Sequence, residues 1–208
     1  MTPRNHGNRV ILVLVEGDTE RAAREHLKRF LDSRAGERPL VRLQMSVFDR
    51  GLAEAEVRGR AEKALASSAT IGVIALTDLY PKFASPAAAR QTIAQWLPKD
   101  PRCHVHVAKH DFEAWLLHGW TAILRQAGIV GNRKPWGSKP EDVDGTNPPA
   151  HRLRDLFQQG KPPRKYKKPV DGKKLLELLR LEDVAAQCPE LKSFLNTLLS
   201  LAGYPLLP

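Results

Sequence analysis

The feature that most constrains the fold is a continuous run of β-branched and leucine residues near the start of the chain. The run occupies Arg9–Val15, which is far shorter than the roughly 20 residues that a membrane-spanning helix needs. Such a run is typical of a central strand that is covered on both faces. Gly17 and Asp18 interrupt it, and apolar residues then recur at helical spacing from Thr19 to Leu31. A strand followed at once by a helix predicts an α/β unit.

The same alternation continues along the chain. Further strands are predicted at Leu40–Phe48, Ile71–Leu76 and Cys103–Ala108, and further helices at Leu52–Ser67, Ser85–Leu97 and Phe112–Leu117. Ser85 is expected to cap its helix, with Pro86 in the first turn. Strands that alternate with helices of this length predict a mainly parallel sheet with helices on both faces, a Rossmann-like α/β fold.

After about residue 128 the pattern changes, and the sequence divides into an α/β core at 1–128 and an extension at 129–208. The stretch Asn132–Pro149 is rich in Pro, Gly, Asn and Asp, and its length predicts a functional lid or a partner-binding loop. Short helices are expected around Ala150–Gln158, Lys173–Leu179 and Pro189–Leu201, so the extension is a small, helical, basic appendage packed on the core.

Positive charge is concentrated in this extension. The chain has 33 Lys and Arg against 23 Asp and Glu, a net charge of +10. Between residues 151 and 174 nine basic residues face only two aspartates. Prolines favour an extended backbone over Lys161–Lys168, which we call the basic strip, with Tyr166 as a possible stacking ring. The predicted nucleic-acid contacts are Arg152, Lys161, Arg164, Lys165, Lys167 and Lys168; the alternative is a solvated, Pro-rich loop without a specific partner.

Acidic residues follow three of the predicted strands. Glu16 ends the first strand with Glu20 one turn into the next helix, Asp78 ends the third strand, and Asp111 and Glu113 follow the fourth. The carboxyl ends of parallel strands share one edge of the sheet, where open α/β sheets keep their sites. Carboxylates brought together there would repel one another unless a hard cation bound among them. The pattern therefore predicts a site for Mg²⁺ or Mn²⁺.

Each acidic cluster also has a structural interpretation. Asp78, before Tyr80-Pro81, would be a turn residue. Asp18 or Thr19 would cap a helix, with Glu20 favoured by the helix dipole. Asp111 would likewise be a helix cap, with Glu113 in the first helical turn. His110, beside them, is either a hydrogen-bonded structural residue or an acid–base group, and the sequence leaves both interpretations open.

Several chemistries lack their sequence signatures. No dinucleotide-binding glycine motif, no ATP-binding loop and no Gly-x-Ser-x-Gly elbow occurs in the chain. Cys103 and Cys188 fit no metal or redox spacing, and Met1–Asn8 has no apolar signal core. We therefore expect a cytoplasmic protein with no membrane segment.

The stretch Val15–Glu20, Val-Glu-Gly-Asp-Thr-Glu, resembles the opening motif of Toprim domains, in the Val-Glu-Gly-x-x-Glu form of the overcoming-lysogenisation-defect nucleases. The whole chain resembles more closely a bacterial Toprim-like family, domain of unknown function 4276. The further matching stretches include Asp78–Pro81, His110–Leu117, Pro149–Leu153 and Cys188–Pro189.

This resemblance implies a Toprim-type sheet and Mg²⁺ held by Glu16, which is also the possible general base, and by Asp78. Glu20 and Glu113 match further acidic positions of the lysogenisation-defect nucleases. The usual Asp-x-Asp of Toprim domains is here Asp78-Leu79-Tyr80, so Glu113 or Asp111 would have to supply the second carboxylate. Relatives of this kind also imply an ATPase partner of the ABC/SMC type and a role in anti-phage defence.

The sequence thus predicts a metal-dependent nuclease subunit that cleaves DNA or RNA, with catalytic residues Glu16, Asp78, Glu113 and His110 and metal ligands Glu16, Glu20, Asp78, Asp111 and Glu113. The first alternative is a catalytically degenerate subunit that regulates or targets an ATPase. A weaker alternative is a phosphohydrolase that acts on nucleotides.

Overall fold

The computed structural model describes residues 6–48, 51–131, 133–143 and 147–208. Its centre is a parallel sheet of four strands, β1 His6–Val15, β2 Leu40–Val47, β3 Thr70–Asp78 and β4 Cys103–Ala108. The strands lie in the order β2-β1-β3-β4. The predicted strands and the parallel α/β sheet are thereby confirmed.

Ten α-helices follow the strands within the described residues. They are α1 Asp18–Ala22, α2 Arg24–Arg34, α3 Glu54–Leu65, α4 Pro86–Trp96, α5 Glu113–Leu116, α6 Trp120–Ala127, α7 Pro149–Gln158, α8 Lys173–Glu177, α9 Leu181–Ala185 and α10 Pro189–Ala202. Short 3₁₀ turns lie at Leu117–Gly119 and Pro140–Asp142, and a π-helical turn at Lys168–Gly172. None of the helices in the described ranges is long and apolar enough to cross a membrane.

Two helix predictions differ from the structure. The single helix expected over Thr19–Leu31 is two helices, because a turn at Ala23 separates α1 from α2. The helix expected through Phe112–Leu117 has one α-helical turn, α5, and continues as the 3₁₀ turn at Leu117–Gly119. The cap at Ser85 is confirmed, since its hydroxyl oxygen accepts a hydrogen bond from the Ala88 N–H at 3.1 Å.

Hydrophobic cores lie on both faces of the sheet because successive strand residues point to opposite sides. Leu12 and Leu14 of β1 face one core, which α3 and α4 cover with residues such as Val57 and Ile93. Ile11, Val13 and Val15 face the larger core, which is closed by other helices that include α2, α5 and α10. This larger core also contains Phe157, Phe194 and other residues from after position 128, so the extension and the sheet share one core.

The basic strip is less open than its sequence indicates. Tyr166 is only 7% exposed, and its ring packs edge-on against Phe157 with ring centroids 5.1 Å apart. Burial raises the pKa of its hydroxyl. The prediction that Tyr166 offers an exposed stacking ring is therefore wrong, because the ring is used to attach the strip to α7.

Strand order fixes where the sheet offers a crevice. β2 lies on one side of β1 and β3 lies on the other, so the chain reverses direction across the sheet at β1. In open α/β sheets, ligands bind outside the carboxyl ends of the strands at such a switch point. Here that point lies between Val15 and Leu76, which are register partners at the ends of β1 and β3.

Candidate functional site

A cavity of about 250 Å³ opens at this switch point, and we call it the acidic cavity. Its walls come from the ends of β1 and β3, from α1 and from two more distant segments. The lining residues are Glu16, Gly17, Thr19, Glu20, Gly51, Asp78, Lys82 and Lys168. Three predicted acidic residues thus line one cavity, together with two lysines.

Glu16, directly after β1, lines the acidic cavity. The Thr77 hydroxyl donates a hydrogen bond to Glu16 Oε1, and Lys82 Nζ donates to Oε2 at 2.7 Å. Lys82 follows β3 and lies beside Gly51, whose φ of +79° a side chain would strain. The Glu16 carboxylate is therefore oriented by β3 on one oxygen and by an ammonium group on the other.

Glu113 lies behind the cavity and is completely buried. The Thr19 hydroxyl donates to its Oε1 at 3.2 Å, and Lys168 Nζ donates to its Oε2 at 3.2 Å. Burial alone would lower the pKa of Lys168, but the carboxylates of Glu113, Asp78 and Asp111 outweigh it and raise that pKa. α1 begins after the N-cap residue Gly17, so Thr19 is not the cap that the sequence allowed.

Asp78 and Glu20 hold negative charge that the nearby cations only partly balance. Asp78 Oδ1 accepts a hydrogen bond from the Phe112 N–H at 3.0 Å, while burial and the nearby Glu20 raise its pKa well above the usual range. Glu20 is 5% exposed and folds back over Gly17, where a Cβ atom would lie 2.8 Å from Glu20 Oε2. Burial and the Glu113 carboxylate raise the pKa of Glu20 to about 7.

Asp111 and His110 lie outside the lining of the acidic cavity. Asp111 Oδ2 accepts a hydrogen bond from the Ala150 N–H of α7 at 2.9 Å, so it caps α7 instead of its own helix. Burial and Glu113 raise the pKa of Asp111 to about 7. The ring Nε2 of His110 donates to the Glu141 carbonyl oxygen at 3.3 Å, and its backbone adopts a φ of +74°. This geometry favours the structural interpretation of His110.

The donor chemistry of the cavity suits a hard cation. The five carboxyl groups of Glu16, Glu20, Asp78, Asp111 and Glu113 lie near only two ammonium groups, those of Lys82 and Lys168, so full ionisation would leave an excess of negative charge. Mg²⁺ and Mn²⁺ prefer carboxylate oxygens. Within the described ranges, however, no three carboxylate, histidine or cysteine side chains are already arranged to hold one metal ion together.

A family model described as domain of unknown function (DUF4276) matches residues 15–199. The chain belongs to this family. Searches of curated proteins and of solved structures each found no match.

In this DUF4276 chain the matched region begins one residue before Glu16 and ends inside α10. It therefore includes every residue of the acidic cavity and the whole of the basic strip. The family carries no described activity, so a function has to be argued from the site itself.

The predicted nucleic-acid contacts within the basic strip of the DUF4276 chain fall into two groups. Lys161, Lys165 and Lys167 are exposed. Arg164 instead donates to both carboxylate oxygens of the buried Asp171, at 3.0 and 2.9 Å, and Lys168 enters the acidic cavity. Arg164 thus stabilises the fold of the strip, and Lys168 connects the strip to the cavity.

Arg152 differs from both groups. Its Nε donates to the Asn147 carbonyl oxygen at 2.7 Å, and its guanidinium carbon lies 5.7 Å from the centre of the Trp136 ring. The predicted lid at Asn132–Pro149 is described only at 133–143 and 147–149; positions 132 and 144–146 lie outside the described residues. In the described part, Pro140, Glu141 and Val143 are buried.

Sequence reasoning missed Thr19, Thr77, Lys82 and Gly51 as parts of the site. Lys82 and Gly51 lie in irregular segments, and no motif marks either of them. Thr77 precedes Asp78 at the end of a strand, and this position is the one sequence signal that could have marked it as part of the site.

Proposed function

We propose that the acidic cavity is the catalytic centre of a divalent-cation-dependent hydrolase that cleaves nucleic-acid phosphodiesters. The observation that carries the proposal is that carboxylates from the end of β1, from α1 and from the end of β3 line one switch-point cavity. The buried Glu113, from the segment after β4, contacts the lining residues Thr19 and Lys168. Burial and neighbouring carboxylates raise the pKa of Glu20 and Asp78, and a cation bound among them would stabilise their ionised forms.

Glu16, Glu20 and Asp78 are the residues that would hold Mg²⁺ or Mn²⁺, since all three line the cavity. The chemistry that such an ion supplies is neutralisation of phosphate charge and activation of water. Glu16, whose carboxylate lines the cavity, would accept a proton from an attacking water molecule. Lys82 and Lys168 are placed to attract phosphate oxygens into the cavity.

A polymeric substrate is supported by the position of the basic strip. Lys168 belongs to the acidic cavity, and the neighbouring Lys165 and Lys167 are exposed along the same segment. A mononucleotide would not need an extended cationic track, whereas a phosphate backbone would. The Val15–Glu20 stretch adds support for a relationship to Toprim nucleases, and for the anti-phage role that this resemblance implies.

The test combines Mg²⁺ and Mn²⁺ titration calorimetry with cleavage of single- and double-stranded DNA and RNA. We expect the Glu16→Gln and Asp78→Asn variants to lose cation binding and to cleave about 100-fold more slowly or worse. Glu62→Gln, which changes an exposed carboxylate on α3, is the matched control and should behave like the parent. Cleavage by Glu16→Gln at the parental rate would contradict the proposal.

A second candidate function is a catalytically degenerate subunit that regulates an ATPase of the ABC/SMC type. The pairing of Glu16 with Lys82 and of Glu113 with Lys168 favours it, because each carboxylate already has a cationic partner. Tyr80 in place of the second Toprim aspartate also favours it. This candidate predicts that the parent binds neither cation, with or without an oligonucleotide, and changes the ATPase rate of its partner.

A further inference from the structure

A second cavity, of about 180 Å³, lies at the other end of α5 from the cavity residue Lys168, and we call it the tryptophan pocket. Trp120 and Trp136 form its aromatic walls, with ring centroids 4.9 Å apart and planes inclined at 72°. Pro135 and Val143 add apolar surface. The pocket is below the roughly 300–1,000 Å³ that drug-sized ligands occupy, so its size suits one flat ring system.

The polar groups at the rim are suited to the edge of a heteroaromatic ring. His118, Ser138 and Gln187 line the pocket beside its apolar walls. Amide, hydroxyl and imidazole groups can donate and accept hydrogen bonds at the edges of a base, while tryptophan offers its face for stacking. Trp120 itself is held in place, because its Nε1 donates to the Arg133 carbonyl oxygen at 2.6 Å.

Charge identifies the kind of molecule that would carry such a ring. Lys139 lines the pocket, Arg152 approaches the Trp136 ring, and exposed Arg133 and Lys134 directly precede the lining residue Pro135 in the chain. Among the described residues of this segment, the exposed acid is Asp142, which accepts a hydrogen bond from Ser138. Aromatic walls inside a cationic rim are the combination with which proteins bind single-stranded nucleic acid.

The pocket is also close to the acidic cavity. Glu113 begins α5 against Lys168, and Leu117 and His118 line the tryptophan pocket directly after α5 ends. The six residues from Glu113 to His118, in α5 and the 3₁₀ turn that follows it, span roughly 8 Å at helical rise. The two cavities are therefore connected through one short segment of the chain.

We propose that the tryptophan pocket receives one unpaired base of a single-stranded nucleic acid. This inference rests on the proposed function, which gives nucleic acid as the substrate class. It adds that the bound nucleic acid is single-stranded and not double-stranded. A paired base keeps its faces inside the duplex stack and cannot stack on Trp136.

The test is fluorine NMR on the full chain labelled with 5-fluorotryptophan. The chain has four tryptophans, and Trp→Phe variants assign one resonance each. We expect a single-stranded oligonucleotide in EDTA to shift the Trp120 and Trp136 resonances, and to leave Trp96 and the buried Trp115 unchanged. The same oligonucleotide in a duplex should leave all four resonances in place.

A binding measurement by fluorescence anisotropy gives the affinity. Trp136→Ala should weaken binding of the single strand about tenfold, and Trp136→Phe should restore most of it, because a phenyl ring also stacks. Parental affinity of Trp136→Ala, or unmoved Trp120 and Trp136 resonances when the strand is saturated, would overturn the inference. Unmoved resonances would leave an apolar side chain of a protein partner as the occupant.

The two proposals fail separately because EDTA removes cation binding and cleavage from these measurements. Shifts of both pocket resonances without cleavage of any substrate would support the base pocket and contradict the hydrolase. Cation-dependent cleavage with unmoved pocket resonances would support the hydrolase and contradict the base pocket.

Discussion

Glu20 illustrates how burial and like charge act on one carboxylate. Its side chain lies against Gly17 in a wall of the acidic cavity, and Glu113 is close enough to oppose its ionisation. The pKa of Glu20 is about 7 in the folded protein, against 4.5 for the isolated side chain. The folded state therefore binds a proton at Glu20 more tightly than the unfolded state does.

The sign of the pH dependence follows from this difference. Between pH 4.5 and 7 the folded state holds more protons at Glu20 than the unfolded state, so the free energy of unfolding falls as the pH rises. We expect Glu20→Gln to match the parent at pH 5 and to be about 2 kcal/mol more stable than the parent at pH 8. Urea unfolding in EDTA at both pH values measures this, with Glu62→Gln as the exposed control.

A pH profile of Glu20→Gln that runs parallel to the parental one would contradict this pH dependence. Repeating the measurement with Mg²⁺ connects it to function. A cation that binds Glu20 compensates its charge, so Mg²⁺ should raise the stability of the parent at pH 8 more than that of Glu20→Gln.

At the scale of elements, the ends of α6 and α7 are joined by close backbone contact. Gly160 follows α7, and a Cβ atom there would lie 1.6 Å from the Ala127 carbonyl oxygen at the end of α6. The Lys161 N–H donates to the Gly128 carbonyl oxygen at 3.1 Å. This junction holds the first residue of the basic strip against the core, so it determines where the strip begins.

We expect Gly160→Ala to lower the free energy of unfolding by about 2 kcal/mol or more, because backbone atoms on both sides must move. Gly59→Ala is a matched control with the opposite sign. Gly59 lies inside α3, and a Cβ atom added there would meet no neighbouring atom within 4 Å, so alanine should stabilise the helix by about 0.5–1 kcal/mol. Equal effects of the two substitutions in urea unfolding would contradict the role of this junction.

The elements also show why the sequence predicted one part of the site and missed another. The acidic residues Glu16 and Asp78 lie at the carboxyl ends of buried strands. Parallel strands bring these ends to the same edge of the sheet, independently of the conformation of the loops. Lys82 and Gly51 approach Glu16 from loops whose paths depend on long-range packing. The predicted exposure of Tyr166 was wrong for a related reason, because it too depends on long-range packing. Nothing in the basic, Pro-rich sequence around Tyr166 indicates that its ring packs on Phe157.

At the scale of the whole molecule, the chain has a net charge of +10, whereas the acidic cavity is a local cluster of carboxyl groups. The cavity gathers carboxylates at the carboxyl edge of the sheet, while Lys165 and Lys167 lie exposed beside Lys168, which enters that cavity. A polyanion is thus attracted by the lysines of the strip and of the cavity, while the ionised carboxylates of the cavity repel it until a cation is bound. Nucleic-acid affinity should accordingly depend on both salt and Mg²⁺.

The exposed lysines of the strip should account for part of this salt dependence. Each phosphate contact contributes roughly 0.7–0.9 to the slope of log affinity against log salt concentration, so Lys165→Ala and Lys167→Ala should each reduce the slope by about 1 or slightly less. Lys99→Ala is the control, because exposed Lys99 precedes β4 at the opposite edge of the sheet and should leave the slope unchanged. Arg164→Ala should instead reduce stability, since it leaves the buried Asp171 carboxylate without its cation. Anisotropy titrations over a range of salt concentrations distinguish these outcomes, and a parental slope in the Lys165→Ala/Lys167→Ala double variant would exclude the strip from nucleic-acid binding.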